Sequence, residues 1–264
     1  EARGNAVLPT ATEVDLRKLA MPKTDSHARL AEKGTPGSNN WAVGGALTAD
    51  GRAIVADDMH LQLRAPNIWF RARLRYADAR APGGKVDVSG FTLPGLPMMV
   101  VGSNGHVAWG FTNSYGDWAD FMRVHWQDAG QTRYLDGDGK TRNVQVFQET
   151  IAVKGGKPVS FTVRETIWGP VTKELNASYS LALQWAAQQP GALNMGLNQL
   201  ATSTDLDSAL GIMQRIGMPG QNLVIGDKNG RIAWRLTAQM PKRVGGCDKT
   251  APIDPQTGCG WQGW

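Results

Sequence analysis

Gly37-Ser38-Asn39-Asn40-Trp41 is where this sequence changes character. Before it, residues 1–37 are polar and close on the turn-forming run Lys33-Gly34-Thr35-Pro36-Gly37. After it, short apolar runs begin. Trp41-Ala42-Val43-Gly44-Gly45-Ala46-Leu47 and Arg52-Ala53-Ile54-Val55 flank Asp50-Gly51, which predicts a β-hairpin. A serine that follows glycine at such a join has two readings. One is a plain turn before a strand. The other is that the Gly37–Ser38 peptide is cut and Ser38 becomes an N-terminal residue. Its α-amine, with an ordinary pKa of about 7.7–8.0, is then partly neutral near pH 7. That amine can act as general base on the hydroxyl of the same residue, so one residue supplies both nucleophile and base.

Outward from that join the pattern is mostly of period two. Ile68 to Tyr76 alternates Trp69, Arg71, Arg73 and Arg75 against Phe70, Ala72, Leu74 and Tyr76. Further strands are predicted at Met98–Val101, His106–Trp109, Phe121–Trp126, Val144–Val153, Val159–Thr166 and Tyr179–Trp185. A helical period appears at 205–213, where Leu206, Ala209, Leu210 and Met213 share a face. A second hairpin, Asn222–Ile225 with Arg231–Leu236, turns at Asp227-Lys228-Asn229-Gly230. Within the tether, residues 10–19 predict one short helix capped by Thr12.

Composition agrees with a β-rich chain. Its 264 residues suffice for a sizeable core, and 32 glycines and 10 tryptophans point to many turns and few long helices. No apolar run reaches the ~18 residues of a membrane span. Residues 1–4 lack the basic and apolar regions of a signal peptide, so none is expected in this chain. The net charge of +5 is spread out, without long basic runs, which argues against nucleic acid as a partner. Cys247 and Cys259 lie in a Gly/Pro/Asp-rich stretch without histidine, so they are not a zinc site. Two unrelated thiols, or a disulfide closing a surface loop in an oxidising compartment, both remain open. If joined, their Cα atoms should lie in the usual ~4.4–6.8 Å window.

Motifs of other chemistries are missing. No G-x-S-x-G elbow, P-loop or dinucleotide fingerprint occurs. The four histidines, His27, His60, His106 and His125, permit a Ser-His-Asp triad, but nothing in the sequence marks one. Gly102-Ser103-Asn104-Gly105 reads as a turn. The tryptophans leave open a non-catalytic β-sandwich binding module, such as a carbohydrate binder.

Five blocks in order decide between the two readings of Ser38. These are Gly37–Trp41, Ala56-Asp57-Asp58-Met59-His60-Leu61, Leu93-Pro94-Gly95-Leu96-Pro97, Gly102 through Asn113, and Gln221 through Ile232. Together they resemble the penicillin acylase family, which includes cephalosporin and acyl-homoserine lactone acylases. These are N-terminal-nucleophile hydrolases. The resemblance implies an α+β fold, the αββα sandwich, here partial and mainly β. It implies that residues 1–37 are spacer peptide and 38–264 the first part of a β chain. An α chain and the remainder of the β chain would then be partners of this segment, and a small acyl-amide the substrate.

The resemblance also assigns roles. Ser38 matches the nucleophile exposed by autocatalytic cleavage after Gly37. His60 matches the position beside the nucleophile. The Asn113 backbone N–H and the Asn222 side chain match the two oxyanion donors, and Arg243 falls near an arginine that supports that asparagine. Asp117, the Ala119 carbonyl and Asp120 match part of a structural calcium site, and two carboxylates with a carbonyl suit a hard cation. No catalytic cofactor is implied, and a periplasmic or secreted location is. Ser38, Asn113 and Asn222 must then meet in space, with the hairpins that begin at Ser38 and Asn222 expected as neighbours in one sheet.

Overall fold

The computed structural model describes residues 37–61, 65–248 and 250–264, and the helix expected at 10–19 lies outside the described residues. In chain order the strands are β1 (Gly37–Val43), β2 (Ile54–His60), β3 (Phe70–Ala77), β4 (Lys85–Thr92), β5 (Val101–Ser103) and β6 (Val107–Asn113). Then come β7 (Ala119–Trp126), β8 (Arg133–Leu135), β9 (Thr141–Asn143), β10 (Gln145–Ile151), β11 (Val159–Thr166), β12 (Gly169–Glu174) and β13 (Tyr179–Trp185). A 3₁₀ segment, Met195–Thr202, and the helix α1 (Leu206–Met213) precede β14 (Gln221–Asp227), β15 (Ile232–Leu236), β16 (Arg243–Val244) and β17 (Gly260–Trp261). The fold is α+β, as the resemblance implies, and mostly strand, as the composition and pattern predict.

A six-stranded sheet, in the order β15-β14-β6-β5-β4-β3, carries one core. Alternation sends Trp109 and Phe111 of β6, with Leu223 and Ile225 of β14, to one face. There they pack with Leu197, Leu200, Leu206, Ala209 and Met213 from the helical segment. Burying each such side chain is worth roughly 1.5–3 kcal/mol, which fixes the register, since a slip of one residue would turn this set outward. Asp205 caps α1 through a capping box with Ser208, leaving fewer orphan N–H groups at its start.

The opposite face of β6 and β14 is covered by β1 and β2, which pair antiparallel with each other. They form a two-stranded sheet of their own. The hairpin that begins at Ser38 is therefore stacked on the sheet of Asn222 and is not hydrogen-bonded into it edge to edge. This corrects the expectation of one shared sheet. The close approach needs glycine: a Cβ on Gly110 would lie 2.8 Å from Asp57 Cβ, and one on Gly226 2.8 Å from Ala53 Cβ. At the turn end the contact is tighter still. Gly45 N–H donates to Gly230 O at 2.8 Å, and a Cβ on Gly45 would sit 2.1 Å from Gly51 O and 2.6 Å from Gly230 Cα.

A seven-stranded sheet, β10-β11-β12-β13-β7-β8-β9, holds a second core of Met122, Val124, Trp126, Tyr134, Trp168, Ala182 and Ile253. Cys247 and Cys259 are joined, with Cα atoms 5.6 Å apart. Their bridge closes the loop between β16 and β17, where Arg243 pairs with Trp261.

Candidate active site

Ser38 is the second residue of β1, and its Oγ donates to the Gly37 carbonyl oxygen at 2.7 Å. The hydroxyl thus rests against the carbonyl of the peptide bond in question. Strand alternation places Ser38, Asn40, Asp57 and Met59 on the inner face of the hairpin. Two contacts fix that face. Asn40 Nδ2 donates to Asn222 O at 3.0 Å, and Phe111 N–H donates to Asp57 Oδ2 at 3.3 Å. Ser38 is two residues along the strand from Asn40, about 6–7 Å.

Asn113 and Asn222 meet. β6 and β14 pair so that Asn222 lies opposite Thr112 and Gln221 opposite Asn113. Asn222 Nδ2 donates to Asn113 O at 3.2 Å and to Thr112 Oγ1 at 3.3 Å. Its Oδ1 accepts from Trp234 Nε1 at 3.2 Å, which fixes which end of the amide is the donor. A cleft of about 510 Å³ opens beside Asn113 and Gln221 and is walled by Trp118, Trp185, Met213 and Met218.

His60 is directly opposite Gly37 in the strand pair. Its ring, however, is on the outer face, with Nε2 2.9 Å from Asp58 Oδ2 and 3.5 Å from Asn39 Nδ2. It stands beside the Gly37–Ser38 bond on the side away from the Ser38 side chain. Asp57 carries no mark of function in the sequence, although it shares the inner face with Ser38. Its Oδ1 is buried and has no hydrogen-bond partner among the described residues. Burial pushes its carboxyl up to about 6; the Phe111 N–H opposes this, and the neighbouring Asp58 charge adds to it. Alternation from the Asp50-Gly51 turn could have placed Asp57 and Asn40 on that face. Contact with a second sheet could not have been read from it.

The sequence profile of the penicillin amidase family matches residues 3–264. The chain belongs to the penicillin amidase family. It is 29% identical over 232 residues to acyl-homoserine lactone acylase QuiP of Pseudomonas aeruginosa, covering 83% of this chain and 26% of that protein. To the QuiP acylase of Pseudomonas syringae pv. tomato it is 31% identical, over 87% of this chain and 27% of that one. To penicillin G acylase of Escherichia coli it is 27% identical, over 86% and 26%. The chain therefore spans about a quarter of the length of these curated relatives. A penicillin G acylase structure from Alcaligenes faecalis superposes with a TM-score of 0.73 at 19% identity, covering 85% of this chain and 39% of that one. The layered sheets are thus part of an N-terminal-nucleophile hydrolase sandwich.

The penicillin amidase resemblance also assigned Asp117, Ala119 and Asp120 to calcium and Arg243 to the support of Asn222. Here Arg243 Nε donates to Asp120 Oδ2 at 2.8 Å, and Nη2 to the Asp117 carbonyl at 3.0 Å. Nη2 also pairs with Asp117 Oδ1 at 2.9 Å. Trp261 Nε1 donates to Asp120 Oδ2 as well. Among the hydrogen bonds of the described residues, those of the Asn222 side chain go to Thr112, Asn113 and Trp234, and none to Arg243. Calcium takes about six to eight oxygens, and among the described residues no three His, Cys, Asp or Glu gather to hold a metal. The Asp117 carboxylate and carbonyl and the Asp120 carboxylate are instead turned to the Arg243 guanidinium.

Proposed function

We propose that the complete protein is an amide hydrolase that removes an acyl group from an amine, using Ser38 as an N-terminal nucleophile released by its own cleavage. The observation that carries this reading is the Ser38 hydroxyl lying 2.7 Å from the Gly37 carbonyl oxygen, in a member of an acylase family. In the cleavage step Ser38 Oγ bonds to the Gly37 carbonyl carbon, and the Gly37–Ser38 C–N bond breaks. The hydroxyl proton passes to the departing nitrogen. Water then hydrolyses the ester, leaving a Gly37 carboxylate and a free Ser38 α-amine.

The same hydroxyl next attacks the substrate amide. The α-amine takes its proton and passes it to the leaving amine, and water deacylates the serine. The Asn113 N–H and Asn222 Nδ2 receive the oxyanion, for which the long bonds from Asn222 to Asn113 O and Thr112 Oγ1 are exchanged. The substrate class, an acylated β-lactam nucleus or homoserine lactone, is drawn from the names of the relatives. A cleft of about 510 Å³ beside Asn113 is of small-molecule size. The disulfide supports a periplasmic or secreted location, because cytosolic chains rarely keep one.

The test is Ser38→Ala in the complete gene product, followed by intact-mass spectrometry and an amide-hydrolysis assay. The wild type should show a new N-terminus at Ser38, and the variant an uncut, inactive chain. Spontaneous cleavage of the variant at the same bond would refute the reading. Activity without any cut in the wild type would instead favour a serine hydrolase with a separate base.

A further inference from the structure

We propose that Arg243 is the resident cation of the Asp117–Asp120 site, a protein side chain standing where the resemblance implies a bound metal. This inference goes beyond the acylase reading and does not depend on it. Asp120 is the reason a cation is needed at all. Its side chain is 5% exposed, and a buried carboxylate without a counter-charge costs several kcal/mol. Asp117 adds a second carboxylate and its own carbonyl to the same point. One planar guanidinium answers all three acceptors with its rigid fork of donors.

Arg243 is itself held in place. Its side chain is 11% exposed and its guanidinium lies 5.6 Å from the centroid of the Trp261 ring. Trp261 is its directly paired neighbour across β16 and β17, and it sends its own indole N–H to Asp120. The Cys247–Cys259 bridge closes the loop joining these two strands. The cation is thus delivered from a strand next to the disulfide-closed loop, more than 100 residues away in sequence from Asp120. It ties the loop leading from Asn113 into β7 to the C-terminal part of the chain. Joining distant segments through shared oxygen ligands is what a structural metal would do, and here the guanidinium does it without dissociating.

The decisive comparison uses the complete protein and its Arg243→Gln variant, each melted in excess EGTA and in millimolar CaCl₂, with metal content measured after desalting. The wild type should carry no stoichiometric calcium and melt alike in both buffers. The variant removes the charge and leaves the acidic donors. It should melt about 3–6 °C lower in EGTA and recover part of that loss in CaCl₂. Wild-type protein with one calcium per chain, or a wild-type melting point that falls in EGTA, would overturn the proposal. So would a variant that melts as the wild type does in both buffers. If Arg243→Gln cannot be recovered folded, the wild-type metal content and EGTA response decide alone.

Discussion

Asp57 is a carboxyl group held where ionisation is opposed. Among the described residues one oxygen has a backbone donor and the other has none, and burial raises its pKa to about 6. The folded state therefore holds a proton that the unfolded chain gives up near pH 4. The resulting stability is present below that point and is lost as pH rises through about 6. For a half-buried group the loss is on the order of 1–2 kcal/mol. Urea unfolding at pH 4.5 and pH 7.5 should show that decline, and Asp57→Asn should flatten it; an identical slope in the variant would remove Asp57 as its source. Asn222 answers to a different measurement. Asn222→Ala in the complete enzyme should lower turnover on the order of 10²–10³-fold with little change in melting temperature. Normal turnover would exclude Asn222 as an oxyanion donor. At this scale the sequence was legible only in part. Ser38, Asn113 and Asn222 emerged from ordered blocks of resemblance. Asp57 and Asn40 lay inside those blocks unremarked, because what distinguishes them is contact with another layer.

Among the elements, local chemistry set most strands. Val159–Thr166 and Tyr179–Trp185 appear with the bounds that the sequence predicts, and the Asp50-Gly51 and Asn229-Gly230 turns give their hairpins. β4 was missed because Ser89-Gly90 interrupts the alternation of Val86 and Val88. Gly90 is required there, since a Cβ would lie 2.0 Å from Val101 O. Met98–Val100 was expected as strand but is irregular. Met98 and Met99 are buried in the core, and Val100 O accepts the Trp109 indole N–H at 3.1 Å. Gly110 shows the same dependence on layer spacing. Gly110→Ala should cost roughly 1–3 kcal/mol by forcing the hairpin away from β6, read as a lower urea midpoint with an unchanged slope. An unaffected midpoint would mean that the layers are not in contact there. Converting Cys247 and Cys259 both to serine should cost about 3 kcal/mol in the chain-entropy model. Melting with and without reductant should show the same deficit, and reductant should leave the serine variant unmoved.

For the molecule as a whole, the two-sheet arrangement determines how the strand after a cut would behave. The β1–β2 hairpin is joined to the larger sheet by Asn40 near one end and by Gly45, Gly51 and Gly230 at the other. Amide hydrogen exchange before and after cleavage should therefore differ along the strand. Ser38 then carries an amine in place of its amide, and exchange at Asn39 should quicken, while Gly45, whose N–H is bonded to Gly230 O, should stay protected. Uniform loosening along β1 would mean that the glycine contact does not hold. Held at the turn and again at Asn40, the hairpin overhangs its last support by only Ser38 and Asn39. Breaking Gly37–Ser38 would then release only the tip. The new terminus would gain the small freedom needed to turn its amine towards its hydroxyl, while the anchored end keeps it aimed at the same place on the sheet below.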